Sequence, residues 1–222
     1  MVLKLRVLFV LSAVWAAVGP AAGLAAGLAA GSVQVVLDEP VLSEVRFDPA
    51  NPPPQMPAMK PDEKGFNWAD FHVNVRLRFQ IPREFERNGT WTSRLKVTDV
   101  TVNASLKDTI YLPHKAPAKL VAHEEGHRRL NLLVWKDAEA AGRAAGRKVI
   151  NRTFTGTGPT REAARKQASE EASGLVTQTF LETTQGRASK LHEAYDDLTD
   201  HGRKPIGEDE AIKRVLDEQK KD

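Results

Sequence analysis

Residues 71–79 read Phe-His-Val-Asn-Val-Arg-Leu-Arg-Phe. Apolar side chains at 71, 73, 75, 77 and 79 alternate with His72, Asn74, Arg76 and Arg78, and Gln80 continues the polar set. Successive side chains of a strand point to opposite faces, so this period of two predicts a strand with one dry and one wet face. His72 falls on the wet face and reads as a surface histidine. Downstream, Asn88-Gly89 is a turn signal. A second alternation follows through Leu95 and Val97, then Val100, Val102, Ala104 and Leu106, and Ile110-Tyr-Leu-Pro113 closes the region. Upstream, Val33-Gln-Val-Val-Leu37 has the composition of a short strand. Three or four antiparallel strands, a small β meander, account for these segments. Residues 40–61 hold seven of the 13 prolines, including Pro52-Pro53-Pro54. Such a stretch is stiff and poor in backbone donors, so it reads as a linker or a long surface loop.

After Pro117 the period becomes helical. Leu120, Val121, Leu130, Leu133, Val134 and Ala138 predict one long amphipathic helix over 117–148. Residues 151–158, rich in Thr and Gly, read as a loop. Pro159 suits the first turn of a further helix, whose buried face carries Ala164, Ala168, Ala172, Leu175, Val176 and Thr179. Gly186 is the expected break. A last helical stretch passes through Leu191, Ala194, Tyr195 and Leu198 and stops at His201-Gly202, a glycine cap. Strands first and helices afterwards is an α+β order. In residues 203–222, 12 of 20 residues are charged. Ile212, Val215 and Leu216 could form a short apolar stripe there, but the composition favours a solvated tail.

The N-terminus carries Lys4 and Arg6, an apolar run over 7–18, Gly19-Pro20, and then only Ala, Gly and Leu through Gly31. That layout predicts a signal peptide over 1–31, cleaved near Ala29-Ala30-Gly31. The alternative is an uncleaved membrane anchor, against which the apolar run is short for a span of about 20 residues. Export to the periplasm or medium of a bacterium follows, with no stable membrane insertion after cleavage. The expected layout is then a Pro-rich segment over 32–62, a domain over 63–202 and a charged tail over 203–222. The chain has no cysteine, which excludes a disulfide framework, a thiolate metal site and a cysteine nucleophile. Its formal charge is +3, of which Lys4 and Arg6 supply two, so nothing in the balance points to nucleic acid.

Residues 123–127 read His-Glu-Glu-Gly-His, an instance of H-E-x-x-H. Histidines at i and i+4 leave one face of a helix a turn apart, so both imidazoles can reach a single cation at about 2.0–2.1 Å. Glu124 then stands beside the metal, placed to take a proton from water whose pKa zinc has lowered. Gly126 costs helix propensity and reads as room for another chain or a ligand to come close to the helix. Two histidines need a third protein ligand. Leu130 and Leu133 stand where an extended pattern carries Gly and His. The candidates left are Glu170, Glu171, Asp196, Asp197, Asp200, His114, His192 and His201.

His-Glu-x-Gly-His, then a long helical stretch, then Tyr195-Asp-Asp-Leu-Thr-Asp-His-Gly202 resembles an uncharacterised bacterial family of predicted secreted zinc-dependent proteases. The likeness spans about residues 63–202 and includes Leu112-Pro113 just ahead of the motif helix. The Pro-rich segment 49–61 and Arg128-Arg129 depart from it. The resemblance implies a zincin-like α+β catalytic domain, in which the β meander precedes a helical region carrying the H-E-x-x-H helix. It implies zinc bound by His123 and His127, Glu124 as general base, and a peptide or protein substrate. His201 is the favoured third ligand, because neutral imidazole suits zinc and a helix end lets it swing inward. Asp196 is the alternative, as ligand or as a group orienting a histidine. Tyr195 is a candidate oxyanion donor, or else a core aromatic on the stripe with Leu191 and Leu198. A non-catalytic envelope protein with a structural His site, closed by Asp196 together with His201, is the second expectation.

Overall fold

The computed structural model describes residues 31–59 and 63–220. The basic start, the apolar run and all of the small-residue stretch but Gly31 lie outside the described residues.

One strand organises the sheet. β4 (Thr90–Pro113) pairs antiparallel along its whole length with β3 (Phe66–Arg87), from Phe66 opposite Tyr111 to Arg87 opposite Thr90. The turn between them is Asn88-Gly89, with φ of 51° and 74°. Both values are left-handed, the conformation that two-residue hairpin turns demand and that Asn and Gly tolerate best. Three short strands share the other edge of β4, end to end. β5 (Thr153–Gly158) runs antiparallel over residues 91–96 of β4. β1 (Ser32–Leu37) runs parallel over 99–104, and β2 (Val41–Phe47) runs parallel over 107–113.

This overturns the expected antiparallel meander followed by a zincin-like helical region. The five-stranded sheet is mixed, with β1 and β2 parallel to β4, and β5 enters it only after two helices. The arrangement is α/β-like, built on two long strands. Alternation shows that a segment is a strand with a wet face; it carries no mark of which neighbour the strand takes or in which direction. β2 lay hidden in the proline-rich stretch because Pro40 and Pro49 flank it rather than occupy it.

The slip in phase between Val97 and Val100 is a β-bulge: Arg78 lies opposite Asp99 and Phe79 opposite Val97, so Thr98 is the extra residue. The slip lets Leu95 and Val97 face the same side as Val100, Val102, Ala104 and Leu106, all buried.

That dry face is covered by helices. The expected single helix is two, α1 (Ala118–Trp135) and α2 (Ala138–Arg147), separated at Lys136-Asp137. α2 lies on β1 through its small face; a Cβ on Gly146 would stand 2.5 Å from Val33 Cγ1. α3 (Arg161–Thr183) starts at Thr160, whose hydroxyl accepts a hydrogen bond from the Ala163 N–H. It crosses β5 at close range, since a Cβ on Gly156 would meet the Ala164 carbonyl oxygen at 2.0 Å. The Thr/Gly segment expected as a loop is therefore a strand, stripped of side chains where the helix passes over it. α4 (Gln185–Thr199) follows after Thr184, and α5 (Glu208–Gln219) buries Ala211, Ile212 and Val215 against α4 and α1. The C-terminal segment is thus folded, unlike the solvated tail expected there. No helix among the described residues is long and apolar enough to cross a membrane.

Candidate metal centre

α1 carries the His-Glu-Glu-Gly-His motif, and a buried polar knot fixes it to the sheet. Asp108 of β4 is fully buried. Its carboxylate accepts hydrogen bonds from Asn67 Nδ2 at 2.7 Å, Asn131 Nδ2 at 2.8 Å and Arg128 Nε at 3.1 Å. Arg128 also donates to Glu125 and to the Ser43 carbonyl of β2. A buried carboxylate is tolerable only when its oxygens are occupied in this way. Arg128 is therefore the bolt between helix and sheet, and Arg129 reaches Asp209 of α5 at 2.6 Å.

α4 brings the second half of the site. Asp196 Oδ1 lies 3.2 Å from His123 Nε2 and 3.1 Å from His127 Nε2, and the two Nε2 atoms are 3.2 Å apart. Three donor atoms thus form a nearly equilateral triangle. Ligands about 2.0–2.1 Å from a tetrahedral ion are separated by roughly 3.3 Å, so this triangle has the size of one face of such a polyhedron. His123 and His127 are buried, and Asp196 is half-buried. His123, His127 and Asp196 form a group that could hold a metal ion.

The electrostatics agree with that use. Burial opposes ionisation of Asp196, but hydrogen bonds from His123 and His127 outweigh it and hold the carboxyl below the ordinary range. Burial lowers the pKa of His127, against the pull of Asp196, which favours the neutral imidazole a metal requires. Glu124 is buried, and its pKa is raised to about 8 by burial first, then by Asp196 and Glu63. A hydrogen bond from the Asn67 backbone N–H opposes that rise.

The other expected residues are placed as follows. His201, the favoured third ligand, is outside the triangle. Its Nδ1 is 3.4 Å from Asp196 Oδ1 and its side chain is 50% exposed. It stands in a left-handed turn, with φ of 52° at Asp200, 50° at His201 and 74° at Gly202. Tyr195 is wholly buried and its hydroxyl has no hydrogen-bond partner among the described residues. Its ring lies against His123 and His127 at centroid distances of 5.1 and 5.0 Å. His192 packs on His127 at 4.6 Å, and burial takes its pKa down to about 3. Asp197, Asp200, His72 and His114 are exposed, and Glu170 and Glu171 lie on α3, outside the group of close donors. Sequence reasoning missed Asn67 and Asp108. The one available signal for Asp108 was its parity, since it falls on the apolar phase of β4 between Leu106 and Ile110.

No protein family, curated protein or solved structure matches the chain.

Proposed function

We propose that the chain is a zinc-dependent peptidase acting outside the bacterial cytoplasm, with His123, His127 and Asp196 as the zinc ligands and Glu124 as general base. The observation that carries this reading is the triangle of three donor atoms on an H-E-x-x-H helix, with the motif glutamate buried beside it. The N-terminal composition supports export, and the resemblance of the two motifs to predicted secreted zinc-dependent proteases supports the reaction class.

Zinc bound by these atoms supplies Lewis acidity, bringing the pKa of water toward about 7 and polarising the carbonyl under attack. Glu124 takes the proton of the attacking water and delivers it to the leaving amine nitrogen as the C–N bond breaks and the new C–O bond forms. Without a cation Glu124 holds its proton near neutral pH. With a dication held by His123, His127 and Asp196, the Glu124 carboxylate, its base form, would be favoured. The outer edge of β3 is unpaired among the described residues and begins next to Asn67, whose N–H holds Glu124. An extended peptide adding to that edge as a strand would bring its carbonyls to the site.

One observation favours a second reading. His201 stands beside Asp196 and could close the fourth position, making a structural site. Zinc content and hydrolysis of a quenched fluorescent peptide library separate the two. Glu124→Gln is expected to keep about one zinc per chain and to lose hydrolysis by about 10²–10⁴-fold. Undiminished cleavage by that variant rejects the mechanism. A cobalt-substituted protein with no exchangeable water, together with no cleavage, supports the closed site.

A further inference from the structure

A ligating histidine normally has its ring turned and held by a hydrogen bond from its second nitrogen to a carboxylate or carbonyl. Neither histidine has one here. His123 Nδ1 and His127 Nδ1 are both buried, and neither has a hydrogen-bond partner among the described residues. The two Nε2 atoms meet at Asp196, but no hydrogen bond on the far side of either ring helps to set its rotamer.

Packing surrounds them. The Tyr195 ring stacks on His123 at 5.1 Å with 14° between planes, and meets His127 edge-on at 5.0 Å and 77°. His192 leans on the side of His127 at 4.6 Å and 49°. The imidazoles themselves are edge to face, 4.7 Å apart. The backbone of Gly202 closes on His123 so tightly that a Cβ there would lie 3.0 Å from His123 Cγ. Tyr195 reaches this position only because residue 126 is glycine; a Cβ at 126 would stand 2.1 Å from the Tyr195 oxygen. That oxygen is buried without a partner among the described residues. A tyrosine hydroxyl in such a place costs stability rather than adding to it. The ring, rather than the hydroxyl, makes the contacts to His123 and His127.

We infer that Tyr195, seated on Gly126, and His192 are positioning residues that hold His123 and His127 in their ligating rotamers by ring packing, in place of outer hydrogen bonds. The inference rests on the metal-centre reading and not on peptide hydrolysis. A parent protein that binds zinc but cleaves nothing loses the peptidase assignment and leaves the cage standing.

The test is zinc affinity of the full chain, stripped of metal and titrated against a chelating indicator, with thermal unfolding of the metal-free protein as the control for folding. Tyr195→Phe is expected to stay within about threefold of the parent and to unfold no earlier, since it removes an unsatisfied hydroxyl and keeps the ring. Tyr195→Leu is expected to weaken zinc by about 10–100-fold, the range typical of lost outer support, and to alter the visible spectrum of the cobalt form. His192→Ala should weaken zinc and His192→Phe should restore it, which keeps the test open if Tyr195→Leu fails to fold. Three results overturn the inference. One is parent-like affinity in both Tyr195→Leu and His192→Ala. Another is loss of affinity in Tyr195→Phe, which would hand the role to the hydroxyl. The third is a parent that binds neither zinc nor cobalt.

Discussion

At the scale of single residues, the contest for the third ligand is between Asp196 and His201, five positions apart on the chain. Asp196 Oδ1 touches both imidazoles and is held ionised by them, whereas His201 Nδ1 lies 3.4 Å from Asp196 Oδ1 and its side chain is half in solvent. Asp196→Ala is therefore expected to lower zinc affinity by more than about 100-fold, and His201→Ala by less than about tenfold, the lower end of what outer partners contribute. Equal losses in zinc titrations would restore His201 to the ligand set. The histidine pair and Glu124 were legible in the sequence because i, i+4 spacing on a helix is a local property. So was the crowding at Gly126, which reads as a close approach to the helix. What approaches is the chain's own Tyr195, 69 residues downstream, and no local rule names it.

At the scale of elements, glycines and one clamp decide how α3 meets the sheet. Gly156→Ala would drive a methyl group into the backbone of α3, where neither partner can rotate away. The expected cost is about 1–3 kcal/mol or more, read as a lower urea midpoint; an unchanged midpoint would mean that α3 stands off β5. Two strands over, Glu84 of β3 accepts from Arg165 Nε at 2.6 Å and Nη2 at 2.7 Å and from Ser93 at 2.6 Å. The hydrogen bond from Arg165, outweighing burial and helped by Ser93, lowers the Glu84 pKa from 4.5 to about 2. A carboxyl whose folded pKa is depressed stabilises the fold fully above its ordinary pKa and loses that contribution as pH falls toward the folded value. Glu84→Gln should therefore be less stable than the parent at pH 7, with the gap closing as pH falls from 4.5 toward 2. A gap that stays constant down to pH 3 in urea titrations would remove the clamp from the account. Long alternation made β3 and β4 legible as strands, though not their full lengths, and the bulge at Thr98 emerged only from the pairing register. β5 was not legible, because five of its six residues are Thr or Gly and its hydrophobic pattern is a single Phe154.

At the scale of the whole molecule, the candidate metal centre lies between α1 and α4, and α5 packs on both. A chain ending at Ile206 would lose the buried side chains of Ile212 and Val215 and the Arg129–Asp209 ion pair. The expected loss is about 3–6 kcal/mol from the two apolar side chains, with weaker zinc binding as α4 loosens. Unchanged stability would return residues 203–222 to a solvated tail. The strand character of β3 and β4, the helical character of α1, α3 and α4, and the candidate pair His123 and His127 with Glu124 follow from patterns within a few residues, since side-chain periodicity and helical spacing are properties of one segment. Sheet order and direction, the approach of Asp196 to the two histidines, the rings packed around them and the Asp108 knot join segments 20 residues or more apart. Such pairings are selected by the fit of complete surfaces in the folded core, so they were settled only when the chain closed on itself.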